Sequence, residues 1–345
     1  MGFKVAVVGA TGAVGKEMLE VLRSRRFPVS ELVLFASPRS EGKEIKFNDK
    51  TYRCQVLKPG CFAKSQIAFF DASDEISNQW AHPAAEEGAW VVDNSATYRM
   101  DESVPLLVPE VNGELLKARL QIAKPTAKDR ILAGPNCTTV QLVVALKPIR
   151  DRWGLKRVVV STYQSVSGAG SAAMDELRKQ TGEVLAGRTP RASVLAHPIA
   201  FNSIPQIGGF RDDGYTSEEF KVIAESRKIL NLPNLRITAT AVRIPTLSCH
   251  GESINVECER PFQIEEVRKA LEDQEGLQLQ DDPAKKQYPM AIDASGRDDV
   301  YVGRLRADAS VENGLNLWIV SDNLRKGAAL NAIQIGEMIA KHAFV

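Results

Sequence analysis

No run of 18 apolar residues occurs in this 345-residue chain, so no membrane-spanning helix is expected. An excess of one charge is also missing. Lysine and arginine total 44 against 43 aspartates and glutamates, a formal net charge of +1. That balance gives no footprint for a nucleic acid or a membrane surface. Cysteine is scarce, and the five residues Cys54, Cys61, Cys137, Cys249 and Cys258 are scattered and odd in number. A disulfide framework is disfavoured, and a reduced, cytoplasmic setting is expected. Cys249 adjoins His250, but no second Cys/His pair lies near, so no metal site is expected. Internal repeats and low-complexity tracts are absent. The chain opens directly into a strand pattern, so no signal peptide is expected. The length then calls for two domains with a large core.

What is present begins with Phe3-Lys4-Val5-Ala6-Val7-Val8, which reads as a buried parallel strand. It runs into Gly9-Ala10-Thr11-Gly12-Ala13-Val14-Gly15 and then an amphipathic helix through Leu22. The glycines form G-x-x-G-x-x-G, with Thr11 where a second close glycine would stand. The mechanics of a dinucleotide loop survive: a tight turn, close backbone approach and a helix N-terminus for a pyrophosphate. A second strand, 32–35, ends in Ala36-Ser37-Pro38-Arg39-Ser40 rather than in an acidic residue. An arginine flanked by hydroxyls suits a 2′-phosphate and so NADP; the alternative is a solvated loop arginine.

Strands at 67–70 and 90–93 and a helix over 74–88 continue an alternation that predicts a doubly wound, mostly parallel sheet of Rossmann type. Ligands collect at the carboxyl ends of such strands. Gly9, Ser37, Ala72-Ser73, Asn94-Ser95 and Asn136-Cys137 are therefore expected along one edge.

A strand at 131–133 passes through Gly134-Pro135 into a helix over 138–149. Asn136 is a good N-cap, which puts Cys137 at the first helical position. The unpaired N–H groups and positive helix end favour a thiolate there and can hold an oxyanion. The alternative is a small buried hydrophobe.

In the second half, 157–164 reads as a strand, followed by Ser165 to Gly170 and a helix from about Ser171. The small residues of that turn let a backbone approach a ligand, or simply start a helix. Glu218 and Lys221 share a face of a helix over 217–230, facing one ligand or forming a surface ion pair. Strands at 235–244 and 253–259 suggest a sheet exposed on one face. His250, seven residues after Arg243, begins a strand in a turn rich in small residues, as a base or as a structural histidine. Further strands are expected at 300–305 and 315–320. Ser321-Asp322-Asn323 caps a long amphipathic helix, 324–340, that is expected to pack back on the first domain.

Taken together, Gly9 to Gly15, Pro135-Asn136-Cys137-Thr138-Thr139-Val140-Gln141, Ser161 to Gly170, Arg243 to His250 and Ser321 to Ala329 resemble the bacterial aspartate-semialdehyde dehydrogenases, in the right order over nearly the whole chain. The resemblance implies a dinucleotide-binding domain, 1–133, completed by a helix 324–345. An α+β catalytic and dimerisation domain, 134–323, follows. It also implies NADP-dependent reductive dephosphorylation of L-aspartyl 4-phosphate to the 4-semialdehyde, toward lysine, threonine and methionine. Cys137 would be the nucleophile, His250 the acid/base and Gln164 the orienting group. Arg243 and Glu218 would hold the substrate's carboxylate and ammonium, and Arg99 and Lys221 its phosphate. Thr11, Gly12, Ala13, Val14, Arg39, Ser40, Ser167, Gly168 and Asn323 would contact the cofactor, and a homodimer or homotetramer is implied. Two segments depart from the family: 181–195 is shorter, and 118–129 is longer and expected to be a surface loop. The rivals are an N-acetyl-glutamyl-phosphate reductase-like enzyme, disfavoured by Asn136-Cys137-Thr138, and a non-catalytic nucleotide-binding relative.

Overall fold

The computed structural model describes residues 2–342. The chain divides into two compact units. One runs to Asn136 and resumes at Ala328; the other is Cys137–Gly327.

The first unit opens with β1 (Phe3–Val8), α1 (Ala13–Ser24) and β2 (Val29–Phe35). A small antiparallel hairpin, β3 (Glu44–Phe47) with β4 (Lys50–Arg53), follows. Next come β5 (Ile67–Phe70), α2 (Asp74–Glu86), β6 (Trp90–Asp93), α3 (Pro109–Leu120) and β7 (Ile131–Ala133). The five-stranded sheet is parallel throughout, in the order β2-β1-β5-β6-β7. Strands β5 and β6 are buried on both faces, as their unbroken apolar sequences require. Because β1 leads to β2 on one side and β5 lies on the other, the order reverses beside β1. That is the switch point at which open α/β sheets bind ligands.

The second unit begins with α4 (Cys137–Trp153), then β8 (Arg157–Gln164), α5 (Ser171–Leu185), α6 (Ser217–Ile229), β9 (Arg236–Arg243) and β10 (His250–Glu257). It continues with α7 (Ile264–Glu272), β11 (Leu277–Leu279), α8 (Ala291–Ala294), β12 (Val300–Asp308) and β13 (Gly314–Ser321). Its mixed sheet runs β11-β12-β13-β10-β8-β9. The chain closes with a π-helical turn, Arg325–Ala329, and α9 (Leu330–His342), which belongs to the first unit. There Asn331 donates to the Leu107 carbonyl, and Gly336 lies against Phe69 and Phe27. Residues 343–345 of the expected terminal helix lie outside the described residues.

Several boundaries differ from expectation. The strand placed at 253–259 is β10, which starts at His250. It is largely buried, with only Ser253 exposed and Asn255 half-buried on one face, because it is central, between β13 and β8, with Trp318 closed over Gly251. The strand placed at 235–244, β9, shows the expected alternation. The 118–129 segment is not wholly loop: its start is the last turn of α3, and residues 128–130 form a 3-10 turn. The terminal helix is interrupted by the π-turn at Arg325.

Candidate active site

The first unit holds a cleft of about 560 Å³ at the switch point, between the loops that follow β1, β2 and β5. Gly9 turns there at φ 86, and a Cβ on it would lie 1.9 Å from the Asp71 carbonyl oxygen. Only glycine meets both conditions. A Cβ on Gly15 would fall 2.2 Å from the Gly9 carbonyl oxygen, so α1 can seat directly on the strand end. No side chain caps α1, and its first turn carries no acidic residue. Its N–H groups therefore face the cleft side with neither a competing acceptor nor a repelling charge, which suits a pyrophosphate.

Of the residues expected to contact a cofactor, Thr11, Gly12 and Ser37 line this cleft. Ala13 and Val14 form the first turn of α1, and Arg39 and Ser40 sit on a 3-10 turn, Pro38–Ser40, at its rim. Arg39 is exposed and makes no ion pair among the described residues. Sequence reasoning missed the apolar wall of Val56, Leu57, Ile76 and Trp80, a surface suited to a flat aromatic ring. The i, i+4 spacing of Ile76 and Trp80 on α2 was the available signal. Also missed was Asp71, whose carboxyl burial pushes up to about 6, against the Asn94 hydrogen bond. After β6, Arg99 is buried and its Nη2 donates to the Asn94 carbonyl oxygen at 2.5 Å.

The second unit gathers the other candidates. Cys137 is the first residue of α4 and is half-buried. No acidic residue occupies the first turn of that helix. Gly327, in the π-turn, packs on the cysteine so tightly that a Cβ would lie 2.8 Å from its Cβ.

His250 opens β10, in register with Gln164 of β8 and Ser321 of β13. Its ring is fully buried. Nδ1 accepts the Ser165 backbone N–H at 3.1 Å. An amide N–H only donates, so the ring proton of the neutral form sits on Nε2. Nε2 has no hydrogen-bond partner among the described residues. A Cβ on Gly168 would lie 3.3 Å from Nε2 and 3.2 Å from Arg243 Nη1, so the glycine keeps the ground above both groups open. Burial first, then the Arg243 charge, bring the His250 pKa down to about 3. The imidazole is neutral at physiological pH.

Arg243 ends β9, and its Nη1 donates to the Ser165 carbonyl oxygen at 2.7 Å. Burial lowers its pKa, while Glu218 and Cys137 act in the opposite direction. Gln164 donates from Nε2 to Glu218 Oε1 at 3.1 Å and accepts the Thr162 hydroxyl at 2.9 Å. Lys221 Nζ lies 3.8 Å from Oε2 of Glu218, which is buried rather than on the surface. Asn323 Oδ1 accepts the hydroxyls of Ser165 and Ser167 at 3.2 and 3.0 Å. Gln164, Ser167, Gly168, Glu218, Lys221, Arg243, His250 and Asn323 thus stand together, with Cys137 coupled to Arg243 electrostatically. Ser165 was not singled out from sequence, yet its N–H, hydroxyl and carbonyl join His250, Asn323 and Arg243. Its place between Gln164 and Ser167 was the only clue. Cys249, the neighbour of His250, is no exposed redox liability: it is buried, and burial pushes its thiol up to about 12.

A thiol at a helix N-terminus, a neutral imidazole with a free donor, a buried guanidinium and a carboxylate–lysine pair can carry out acyl transfer on a small, charged carbonyl compound.

Comparison with known proteins agrees. Residues 4–119 match the family model described as semialdehyde dehydrogenase, NAD binding domain, and 146–326 the one described as semialdehyde dehydrogenase, dimerisation domain. The aspartate-semialdehyde dehydrogenase of Aquifex aeolicus is 49% identical over 347 residues, with 100% of each chain covered. That of Bacillus subtilis is 44% identical, over 99% of this chain and 98% of its own. The crystal structure of aspartate semialdehyde dehydrogenase II from Vibrio cholerae, complexed with ASA, superposes with a TM-score of 0.95 at 46% identity, covering 100% of both chains.

Proposed function

The chain belongs to the aspartate-semialdehyde dehydrogenase family, and on that premise we propose that it converts L-aspartyl 4-phosphate to L-aspartate 4-semialdehyde with NADP as cofactor. The reaction is reversible and leads toward lysine, threonine and methionine. The protein acts as a homodimer or homotetramer in a cytoplasm reducing enough to keep its thiols free.

The Cys137 sulfur attacks the C4 carbonyl, a C–S bond forms, and the tetrahedral oxyanion collapses with loss of phosphate to leave an acyl-thioester. The N–H groups at the start of α4 face the developing negative charge. Arg243 clamps the substrate carboxylate with paired bonds, Glu218 meets its ammonium, and Gln164 orients the reacting carbonyl. Arg99 and Lys221 balance the phosphate. Thr11, Gly12, Ala13 and Val14 hold the cofactor's pyrophosphate, Ser37, Arg39 and Ser40 its 2′-phosphate, and Ser167, Gly168 and Asn323 its reactive end. When bound, the cofactor supplies the hydride that takes the thioester to the aldehyde.

His250 provides the acid/base function. In the free protein Arg243 helps hold it neutral. A substrate carboxylate on Arg243 offsets that charge, so proton affinity returns to the imidazole when the site is filled. The observation that carries this reading is His250 Nε2: buried, without a partner among the described residues, and beneath the open ground left by Gly168.

The test is Cys137→Ala. The account expects turnover to fall to background while NADP affinity, measured by calorimetry, is retained. Undiminished turnover removes Cys137 as the nucleophile.

A further inference from the structure

A buried polar chain lies beneath the residues just described, and no role has yet been given to it. Gln141 stands one turn beyond Cys137 on α4, so the two share a helical face. Glu252 stands two residues beyond His250 on β10 and therefore on the same face of the sheet. Ser321 is the ladder partner of His250 across β10 and β13. The Ser321 hydroxyl donates to Gln141 Oε1 at 2.5 Å, and Gln141 Nε2 donates to Glu252 Oε1 at 2.7 Å. All three side chains are buried, Glu252 completely. Glu252 Oε2 has no partner among the described residues.

We propose that Glu252, acting through Gln141 and Ser321, is a positioning residue for the thiol of Cys137 and the imidazole of His250. The chain of two hydrogen bonds fixes the first turns of α4 against the start of β10 and the end of β13. Those elements carry Cys137, His250 and, two residues past Ser321, Asn323. A glutamate in place of an apolar residue gives the Gln141 amide an acceptor that the interior otherwise lacks. The inference rests on Cys137 and His250 being the reacting pair.

The unpartnered Oε2 also has a consequence for protonation. Burial pushes the Glu252 carboxyl up to about 8, opposed only by the Gln141 amide. At neutral pH the group is a neutral acid, which explains how a carboxyl with one oxygen unpartnered survives in the interior. The other charged and titratable groups of β10 and the elements around it are His250 and Glu257 on β10, Arg157 and Tyr163 on β8, Arg243 on β9, Cys137, Lys147, Arg150, Asp151 and Arg152 on α4, and Asp322, Arg325 and the buried Lys326 after β13. On β8 the ladder partner of Glu252 is Thr162. None of the charged groups contributes to its shift. The folded pKa is raised, so the stabilising contribution is complete below the ordinary carboxylate pKa and is lost as pH rises through about 8. Ionisation then places an unpaired negative charge in the interior, against the Gln141 amide, and disturbs the alignment that Gln141 maintains.

The experiment compares wild type, E252Q and E252L. Infrared difference spectra of wild type against E252Q at pH 7 should show a protonated-carboxyl band that disappears at alkaline pH. The kcat/KM profile of the wild type should fall with an apparent pKa near 8, and that limb should be missing in E252Q, which restores kcat at neutral pH. E252L should lower kcat by about 10²-fold with KM unchanged, the penalty for misplacing a reacting group by ~1 Å. It should also slow iodoacetamide alkylation of Cys137, followed by mass spectrometry.

A carboxylate rather than a carboxyl band at pH 7, or an alkaline limb retained in E252Q, overturns the protonation argument. Full kcat and full alkylation rate in E252L overturn the positioning role. If E252L does not fold, the E252Q band and profile still decide. The band and the alkylation rate need no substrate, so they separate failure of this inference from failure of the proposed reaction.

Discussion

At the scale of a single residue, the proposed NADP preference rests on Arg39. It stands exposed on a 3-10 turn at the cleft rim, with serines 37 and 40 on either side and no ion pair among the described residues. An unpaired guanidinium has its donors available for a phosphate. Arg39→Glu should weaken NADP by roughly 10- to 100-fold, since a hydrogen bond to a charged group contributes about 1.5–3 kcal/mol. NAD, which has no 2′-phosphate, should be little affected. Titration calorimetry with both cofactors reads this directly, and equal losses would remove the 2′-phosphate assignment. Residue types at motif positions were legible in the sequence: Gln164, Glu218, Arg243, His250 and Asn323 were named from pattern and stand in one network. Ser165, Asp71, Gln141 and Glu252 were not. Each draws its importance from a neighbour distant in sequence, such as Glu252 for Gln141. No local spacing encodes such a neighbour.

At the scale of the element, α9 seats closely on the parallel sheet. A Cβ on Gly336 would lie 2.6 Å from Phe69 Cζ, and Phe69 is held edge-on against Phe27 with ring centroids 6.4 Å apart. Neither ring has room to yield. Gly336→Val should destabilise the first unit by about 1–3 kcal/mol through overpacking, which exceeds what the lost backbone freedom of glycine returns. The midpoint of urea unfolding should fall accordingly, and an unchanged midpoint would show that α9 does not dock as described. The helix itself was readable from its apolar period. Its π-helical first turn was not, because Gly327 adopts its position against Cys137, a residue 190 positions away in the chain. His250 reads as the beginning of a strand, as it is in β10, but the β-branched run placed at 253–259 starts later than the strand itself. Cys249 precedes the strand in a left-handed conformation, φ 68, and Gly251 interrupts the pattern of β-branched residues, so that run declares itself only from Ser253. The hairpin β3–β4 escapes notice because its alternation, Glu44-Ile45-Lys46-Phe47, lasts only four residues and β4 is mostly polar.

For the whole molecule, the alternation of strands and helices and the glycine loop were enough to specify a parallel doubly wound unit, and the structure has one. The second unit was harder to foresee, since its mixed sheet joins strands far apart in sequence, β8 lying between β9 and β10. Its chemistry was plainer than its topology. On the proposed reading, each unit holds part of what the reaction requires: a dinucleotide cleft in the first, and a thiol with its acid/base and charge-matched groups in the second. The central claim is that these serve one substrate, the aspartyl semialdehyde, with NADP. The direct measurement is NADPH formation by the purified protein from L-aspartate 4-semialdehyde and phosphate, run beside N-acetylglutamate semialdehyde and beside NAD. The account predicts turnover with the aspartyl aldehyde and NADP, and little with either replacement. Turnover of the N-acetylglutamyl aldehyde alone, or silence with both aldehydes while NADP still binds, would contradict it.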